Sequence, residues 1–273
     1  MAFRWDGGFI MVAWDKFDEG VEWYTTHLGW TCLDKIITPV GKKAFLKMPR
    51  LGVVTLKSFE SDLDHFQLRE KFEGDTRLCF ETVDLEDTLA YFTTKEIHYN
   101  ELAPLPSGHR RFDIHAFDGA RLTVVHNPKQ DGQFDNVRVT GFSDILCMSI
   151  GVSHIGQSID WYMKHLGFVL EDHKDRYALL KVEDAYDWNE LKQVVYDAIL
   201  FEQIDRAYVE KGYPSVRNYF DVRPEVFYET YEKLSGEGIQ LSEIAGNANT
   251  GWAGFHFHDP DGNQINVWSY PLR

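Results

Sequence analysis

The chain has 273 residues, room for one large domain or two small ones at roughly 100–200 residues per domain. Hydrophobic residues make up 44% and charged residues 26%, a balance that excludes a disordered chain, and 15% of residues are aromatic. Acidic residues outnumber basic ones 43 to 28, and the resulting charge of −15 repels phosphate backbones and argues against nucleic acid as a partner.

The first residues, 1–8, show no charged segment ahead of an apolar core, and no apolar run approaches the ~20 residues that span a bilayer. A cytoplasmic protein without membrane contact is expected. Cys32, Cys79 and Cys147 are odd in number, far apart and not in Cys-x-x-Cys spacing, so reduced, buried thiols are expected.

In chain order, residues 8–14 read as a strand and 20–28 as an amphipathic helix closed by Gly29. A second strand and helix follow at 77–82 and 85–93, and 114–128 reads as a hairpin turning at Asp118-Gly119. Residues 130–143 are polar and read as a linker. The pattern then restarts. A strand at 145–152 and a helix at 158–166 precede Gly167. A strand at 217–222 and a helix at 225–234 precede a hairpin over 257–271, turning at Asp259-Pro260-Asp261-Gly262-Asn263. Trp23/Trp161, Tyr24/Tyr162, His27/His165, Leu28/Leu166 and Gly29/Gly167 coincide when the halves are overlaid. Strands after each helix complete four βαβββ units, at about 8–58, 76–127, 145–203 and 216–270. Residues 183–194 form an excursion in the third unit, and 60–75 and 204–216 join units within a half.

Four such units, with the Trp161–Phe168 helix end and the Asp259–Asn263 turn, resemble the vicinal oxygen chelate superfamily of glyoxalases, bleomycin resistance proteins and extradiol dioxygenases. The resemblance implies an α+β fold of two tandem modules, 1–129 and 144–273. Each module would be a pair of βαβββ units forming a curved sheet cup, often with a divalent metal. The implied metal positions fall on Phe9, Arg77 and Thr123 in the first half, and on Cys147, Arg217 and Asn266 in the second. Arginine is always cationic and cannot ligate, so no metal and no other cofactor is expected. His256 and His258 share one strand face, which reads as polar surface without a carboxylate to complete a metal site.

Strand alternation then sorts the cup faces. One cup is expected to hold Cys147, Arg217, Tyr219, Asp221, His256, Asn266 and Trp268. The other is expected to hold Phe9, Met11, Arg77, Cys79, Glu81, Asp113, His115 and Thr123, with Arg77 paired to Glu81 as Arg217 is to Asp221. An aromatic cup with a few polar groups suits a small organic molecule, planar or cationic, bound in the manner of the bleomycin resistance proteins without a metal. The alternatives are a metal-independent lyase, isomerase or hydrolase using His256 as acid or base and Arg217 for negative charge, and a metal-dependent glyoxalase or dioxygenase. Whether the chain is an enzyme stays open at this level. A fused pair of modules can complete its cups within one chain, so a monomer or weak homodimer is expected.

Overall fold

The computed structural model describes residues 3–39, 41–50, 52–59, 75–128, 137–182, 198–205 and 216–270. The expected excursion at 183–194, half of the linker and much of the two joining segments lie outside these residues. The first unit runs β1 (Arg4–Met11), a 3-10 turn, α1 (Phe17–His27), β2 (Thr31–Thr38), β3 (Gly41–Lys47) and β4 (Val53–Phe59). The second runs β5 (Asp75–Thr82), α2 (Leu85–Thr94), β6 (Ala103–Pro104), β7 (Arg110–His115) and β8 (Arg121–His126). A two-residue β9 (Gly141–Phe142) precedes the third unit: β10 (Met148–Val152), α3 (Ile155–Leu166), β11 (Val169–Lys174), β12 (Tyr177–Lys181) and β13 (Ala198–Gln203). The fourth runs β14 (Val216–Asp221), α4 (Pro224–Gly236), β15 (Ala245–Gly246), β16 (Ala253–His258) and β17 (Gln264–Ser269).

Local chemistry sets the ends of these elements. Asp84 caps α2 by accepting from the Asp87 amide at 2.9 Å. Gly167 ends α3 at φ 72°, a left-handed conformation that a side chain disfavours. Pro224 opens α4, where its missing N–H costs nothing. The two sequence signatures of the second half meet directly: the Tyr162 hydroxyl of α3 donates to Asp259 of the closing turn at 2.9 Å. Asp259 also accepts from the Asp261 and Asn263 amides and from the Asn263 side chain. Asn263 then ties the turn to the Asp75 amide and the Gly151 carbonyl. The turn is thus a structural clasp between the third, fourth and second units.

The chain is α+β with two mixed sheets, and the units pair across the halves rather than within them. The first sheet runs β15-β16-β17-β14-β1-β4-β3-β2 and unites the first and fourth units. The second runs β11-β12-β13-β10-β5-β8-β7-β6, with β9 on β5, and unites the second and third. The expectation that neighbouring units of one half share a cup is corrected here. Alternation of side chains fixes which face of a strand is buried but not which strand lies beside it, and both pairings bury the same apolar faces. The two sheets are built alike: β1 lies antiparallel to β14 with Phe9 opposite Arg217, and β10 lies antiparallel to β5 with Ser149 opposite Arg77.

One continuous core takes the helix-side faces of both sheets, with Ile10, Leu56, Phe80, Phe112, Ile150, Phe201, Phe220 and Phe257 all nearly fully buried. Each such side chain contributes about 1.5–3 kcal/mol of burial. Tyr24 and Tyr162 are fully buried in it, while Trp23 and Trp161 pack at its margin. At Gly8 of β1 a Cβ would stand 2.6 Å from the Arg217 carbonyl oxygen of neighbouring β14 and 2.7 Å from the Leu78 side chain of the other sheet. The opposite faces carry two separate clusters. In the second sheet these are Cys79, Leu105, Val125, Leu146, Ala198 and Leu200. In the first they are Phe9 and Met11, with Tyr219 and Trp268 packed on them. Among the described residues no helix is long and apolar enough to cross a membrane.

Candidate functional site: two cup faces with opposite electrostatics

The second sheet's cup face is filled by an ion network. Arg77, only 3% exposed, donates to Asp113, to Ser149 Oγ at 3.0 Å and to Glu202 at 2.9 Å. Arg111 donates to the other oxygen of Glu202, and Arg121 to Asp75 at 2.7 Å. Thr123 donates to the Asp113 carboxylate at 2.7 Å, and the Asp113 amide donates to the Asn100 side chain at 2.7 Å. Three guanidiniums therefore face three carboxylates, and the group is neutral as a whole. Burial opposes the charge on Arg77, but Asp113 and Asp75 outweigh it and hold its pKa above the ordinary value. Burial likewise opposes the Asp113 carboxylate, and Arg77 outweighs it and holds Asp113 below the usual range.

The expected Arg77–Glu81 pair is not formed. Glu81 lies at the far end of β5 beside Arg50 and accepts from Asn127 at 3.1 Å. Burial raises its pKa to about 7, with Asp144 adding to the rise. His115 sits at the exposed end of β7 with its ring 4.9 Å from that of His98. Cys147 belongs with this sheet, not with Arg217: its carbonyl accepts from the Cys79 amide, and its thiol donates to the Ala198 carbonyl at 3.1 Å.

The first sheet brings a different set together. The ladder places Phe9 beside Arg217 and Thr55, Met11 beside Lys57, and Tyr219 in one row with Asn266 and His256. Phe9 and Tyr219 have ring centroids 4.2 Å apart, as do Tyr219 and Trp268. Tyr219 and Trp268 keep part of their surface exposed. The Trp268 indole donates to Asp6 at 3.0 Å, and Arg4 holds Asp221, so the expected Arg217–Asp221 pairing gives way to Arg4–Asp221. Burial raises Asp6 to about 6, against Arg4 and with Asp221. The Asn266 side chain donates to the Asn218 carbonyl at 2.8 Å and accepts from Gln264 at 3.0 Å. Its amide is thereby tied into the sheet.

Lys57 is the residue that sequence reasoning missed. It is 8% exposed, lies over the Phe9 ring and stands 5.6 Å from the Tyr219 ring centroid. Among the described residues no carboxylate pairs with it. Burial lowers its pKa to about 6, with Lys43 and Arg217 adding to the fall. At pH 7 that leaves roughly ten neutral amines for each ammonium. The alternation of β4, with Val54 and Leu56 in the core and Thr55 and Lys57 opposite, was the available signal.

Because both sheets share one register, their positions can be matched. Phe9 corresponds to Ser149, Lys57 to Glu202, Tyr219 to Cys79, Asn266 to Thr123 and His256 to Asp113. The two positions that supply carboxylates to Arg77 therefore supply an amine and an imidazole on the side of Arg217. His256 itself is half-buried, with its backbone held to Ser242. With His258, it borders a separate cavity of about 650 Å³ against Trp161, His165 and Glu237.

The divalent ion that the resemblance implies does not fit this donor set. The matched triads are Phe9, Arg217 and Asn266 in one cup, and Ser149, Arg77 and Thr123 in the other, so a guanidinium stands at one ligand position of each. Ser149 rather than Cys147 is the register equivalent of Phe9. Among the described residues no group of three His, Cys, Asp or Glu is placed to hold a metal.

The family model for the "Glyoxalase/Bleomycin resistance protein/Dioxygenase superfamily" matches residues 144–267. No curated protein sequence matches the chain significantly. Among solved structures, a "putative dioxygenase" from Bacillus subtilis superposes with a TM-score of 0.67 at 10% identity, covering 98% of this chain and 86% of its own. Glyoxalase I from Zea mays superposes with a TM-score of 0.60 at 16% identity, covering 98% and 92%. At these identities the likeness is one of fold. Residues 144–267 thus carry the signature of the glyoxalase/bleomycin resistance protein/dioxygenase superfamily, and the two-module fold of these structures extends along the length of the chain.

Proposed function

We propose that the protein binds a small planar organic molecule on the cup face of the first sheet, without the divalent ion that the family resemblance implies. One observation carries this reading. Where the second sheet closes its cup with a neutral ion network, the first presents the Phe9, Tyr219 and Trp268 rings, the latter two partly exposed. Aromatic faces at the end of a buried polar patch suit stacking on a flat ligand. The acidic surface had suggested a cationic ligand. Arg217 and Lys57 support instead a ligand carrying an acidic or carbonyl group at that end, because a cation there meets like charge. Completion of both sheets within one chain supports a monomer.

Titration calorimetry and tryptophan fluorescence across a panel of aromatic carboxylates and carbonyl compounds test the reading. A ligand is expected whose affinity falls about tenfold in Trp268→Ala, since an aromatic contact is worth about 0.5–1.5 kcal/mol beyond its area. Binding unaffected by Trp268→Ala and Tyr219→Ala, or silence across the panel, overturns it.

A further inference from the structure

The register match between the sheets exposes a group that plain ligand binding does not require. At the position where the second sheet has Glu202, the first has Lys57, set among the Phe9 and Tyr219 rings and close enough to Arg217 to feel its charge. A structural role for a buried lysine calls for a carboxylate partner, and among the described residues it has none. A lysine desolvated among apolar groups and next to a second cation is the arrangement that turns an amine into a nucleophile. Arg217 stays charged under all conditions, and a guanidinium is the group that recognises a carboxylate best.

We propose that Lys57 condenses with the carbonyl group of a small aldehyde or ketone that also carries an acidic group, forming an imine while Arg217 holds the acid. The proposal rests on the ligand-binding reading above and names the chemistry of its ligand. In the first step the Nζ lone pair forms a bond to the carbonyl carbon, the C=O π pair moves to oxygen, and the oxygen takes up a proton as nitrogen gives one up. In the second, the nitrogen lone pair forms C=N as the hydroxyl leaves as water with a proton, and nitrogen loses its remaining hydrogen. The sum is amine plus carbonyl giving imine plus water, so no oxidant, reductant or metal is consumed. The aromatic walls favour the dehydration by keeping bulk water from the C=N bond.

The test traps the imine on the full chain with carboxybenzaldehyde and cyanoborohydride, followed by intact mass and peptide mapping. A single reduced adduct on Lys57 is expected. Its rate should rise with pH to a plateau reached near pH 7, where ordinary surface lysines are still climbing toward pH 10. Unsubstituted benzaldehyde should label Lys57 at least tenfold more slowly, for want of a contact with Arg217. Lys57→Met, of similar length and apolar, should lose the adduct, and the unaltered chain should bind carboxybenzaldehyde in a fluorescence titration without reductant. Binding without an adduct on Lys57 overturns the imine and leaves the binding reading standing. Adducts scattered over surface lysines at equal rates, or equal labelling by both aldehydes, overturn it as well. Absence of both binding and adduct sinks the two readings together for this class of ligand.

Discussion

Replacing Lys57 by methionine should stabilise the protein, by an amount that depends on pH in a defined direction. In the unfolded chain the lysine holds its proton up to its ordinary value of 10.5, whereas burial in the fold brings it down to about 6. Between those limits folding expels a proton, so this group makes folding harder at low pH and progressively easier as pH rises toward 10.5. At pH 7 the gap of about 3.5 units corresponds to about 5 kcal/mol, at about 1.4 kcal/mol per unit. The Phe9 ring face returns part of the lost hydration of any ammonium that remains, up to about 2 kcal/mol, which brings the expected gain on Lys57→Met to about 3–5 kcal/mol. At pH 10 the same arithmetic leaves about 1 kcal/mol. Below pH 6 both states are protonated and the gain reaches its maximum. Methionine suits the site because it keeps the stem's volume against Phe9 and Met11 without a charge. Urea unfolding of both proteins at several pH values between 6 and 10 measures the difference directly. A gain that does not change with pH, or a loss of stability at pH 7, would refute the claim that this amine is held largely neutral by burial.

The remaining expectations concern the clasp, the ion network and the site. Tyr162→Phe removes a donor to buried Asp259 and should cost about 1.5–3 kcal/mol in urea unfolding. Tyr24→Phe should be neutral or slightly stabilising, because the Tyr24 hydroxyl is fully buried and has no hydrogen-bond partner among the described residues. Equal losses in both would contradict the clasp. Arg77→Met should cost about 3–5 kcal/mol by leaving buried Asp113 and half-buried Glu202 beside a missing cation, and adding Asp113→Leu should recover part of that loss. A loss below about 1 kcal/mol would show that the network is not what closes the second cup. Trp268→Ala should weaken ligand binding about tenfold in calorimetry. Lys57 should be the residue trapped by an acidic aromatic aldehyde under reduction.

The βαβββ units were legible because their signals are local. A helix with apolar residues three and four apart, ended by a glycine, and an Asp-Gly turn between alternating strands need no knowledge of the rest of the chain. The Trp161–Phe168 and Asp259–Asn263 signatures carried the family resemblance, and the contact between Tyr162 and Asp259 gives a physical reason for the pair to occur together. Which units share a sheet was not legible. Swapping β14 for β5 beside β1 leaves every buried face buried, and closing the longer connection adds only a logarithmic entropy cost. That one ambiguity misplaced Cys147 beside Arg217 and Phe9 beside Arg77. It also hid the partners of Arg77, since Glu202 reaches it only through β10 lying on β5. Lys57 escaped notice because a lysine ordinarily reads as surface, and only the placement of β4 against β1 makes it interior.

The two cups are a controlled comparison within one molecule. Their backbones share a register, and each sets an arginine from one unit opposite the first strand of another. Around Arg77 the surrounding positions supply Asp113 and Glu202, and the cup closes on itself as a neutral network. Around Arg217 the same positions supply His256 and Lys57. Burial raises the free energy of any state that protonates the Lys57 amine, Lys43 and Arg217 add to that cost, and the amine is kept largely neutral. A carboxylate brought in by a ligand would add an anion beside Arg217 and Lys57. It would also draw Lys57 back toward its charged form by opposite charge, so a simple anion would bind with uptake of a proton near pH 7. A carbonyl acid captured by the neutral amine would lower that demand, because the amine is consumed in the C=N bond. Proton uptake on binding, measured by calorimetry in buffers of different ionisation enthalpy, therefore separates a passive anion site from a reactive amine.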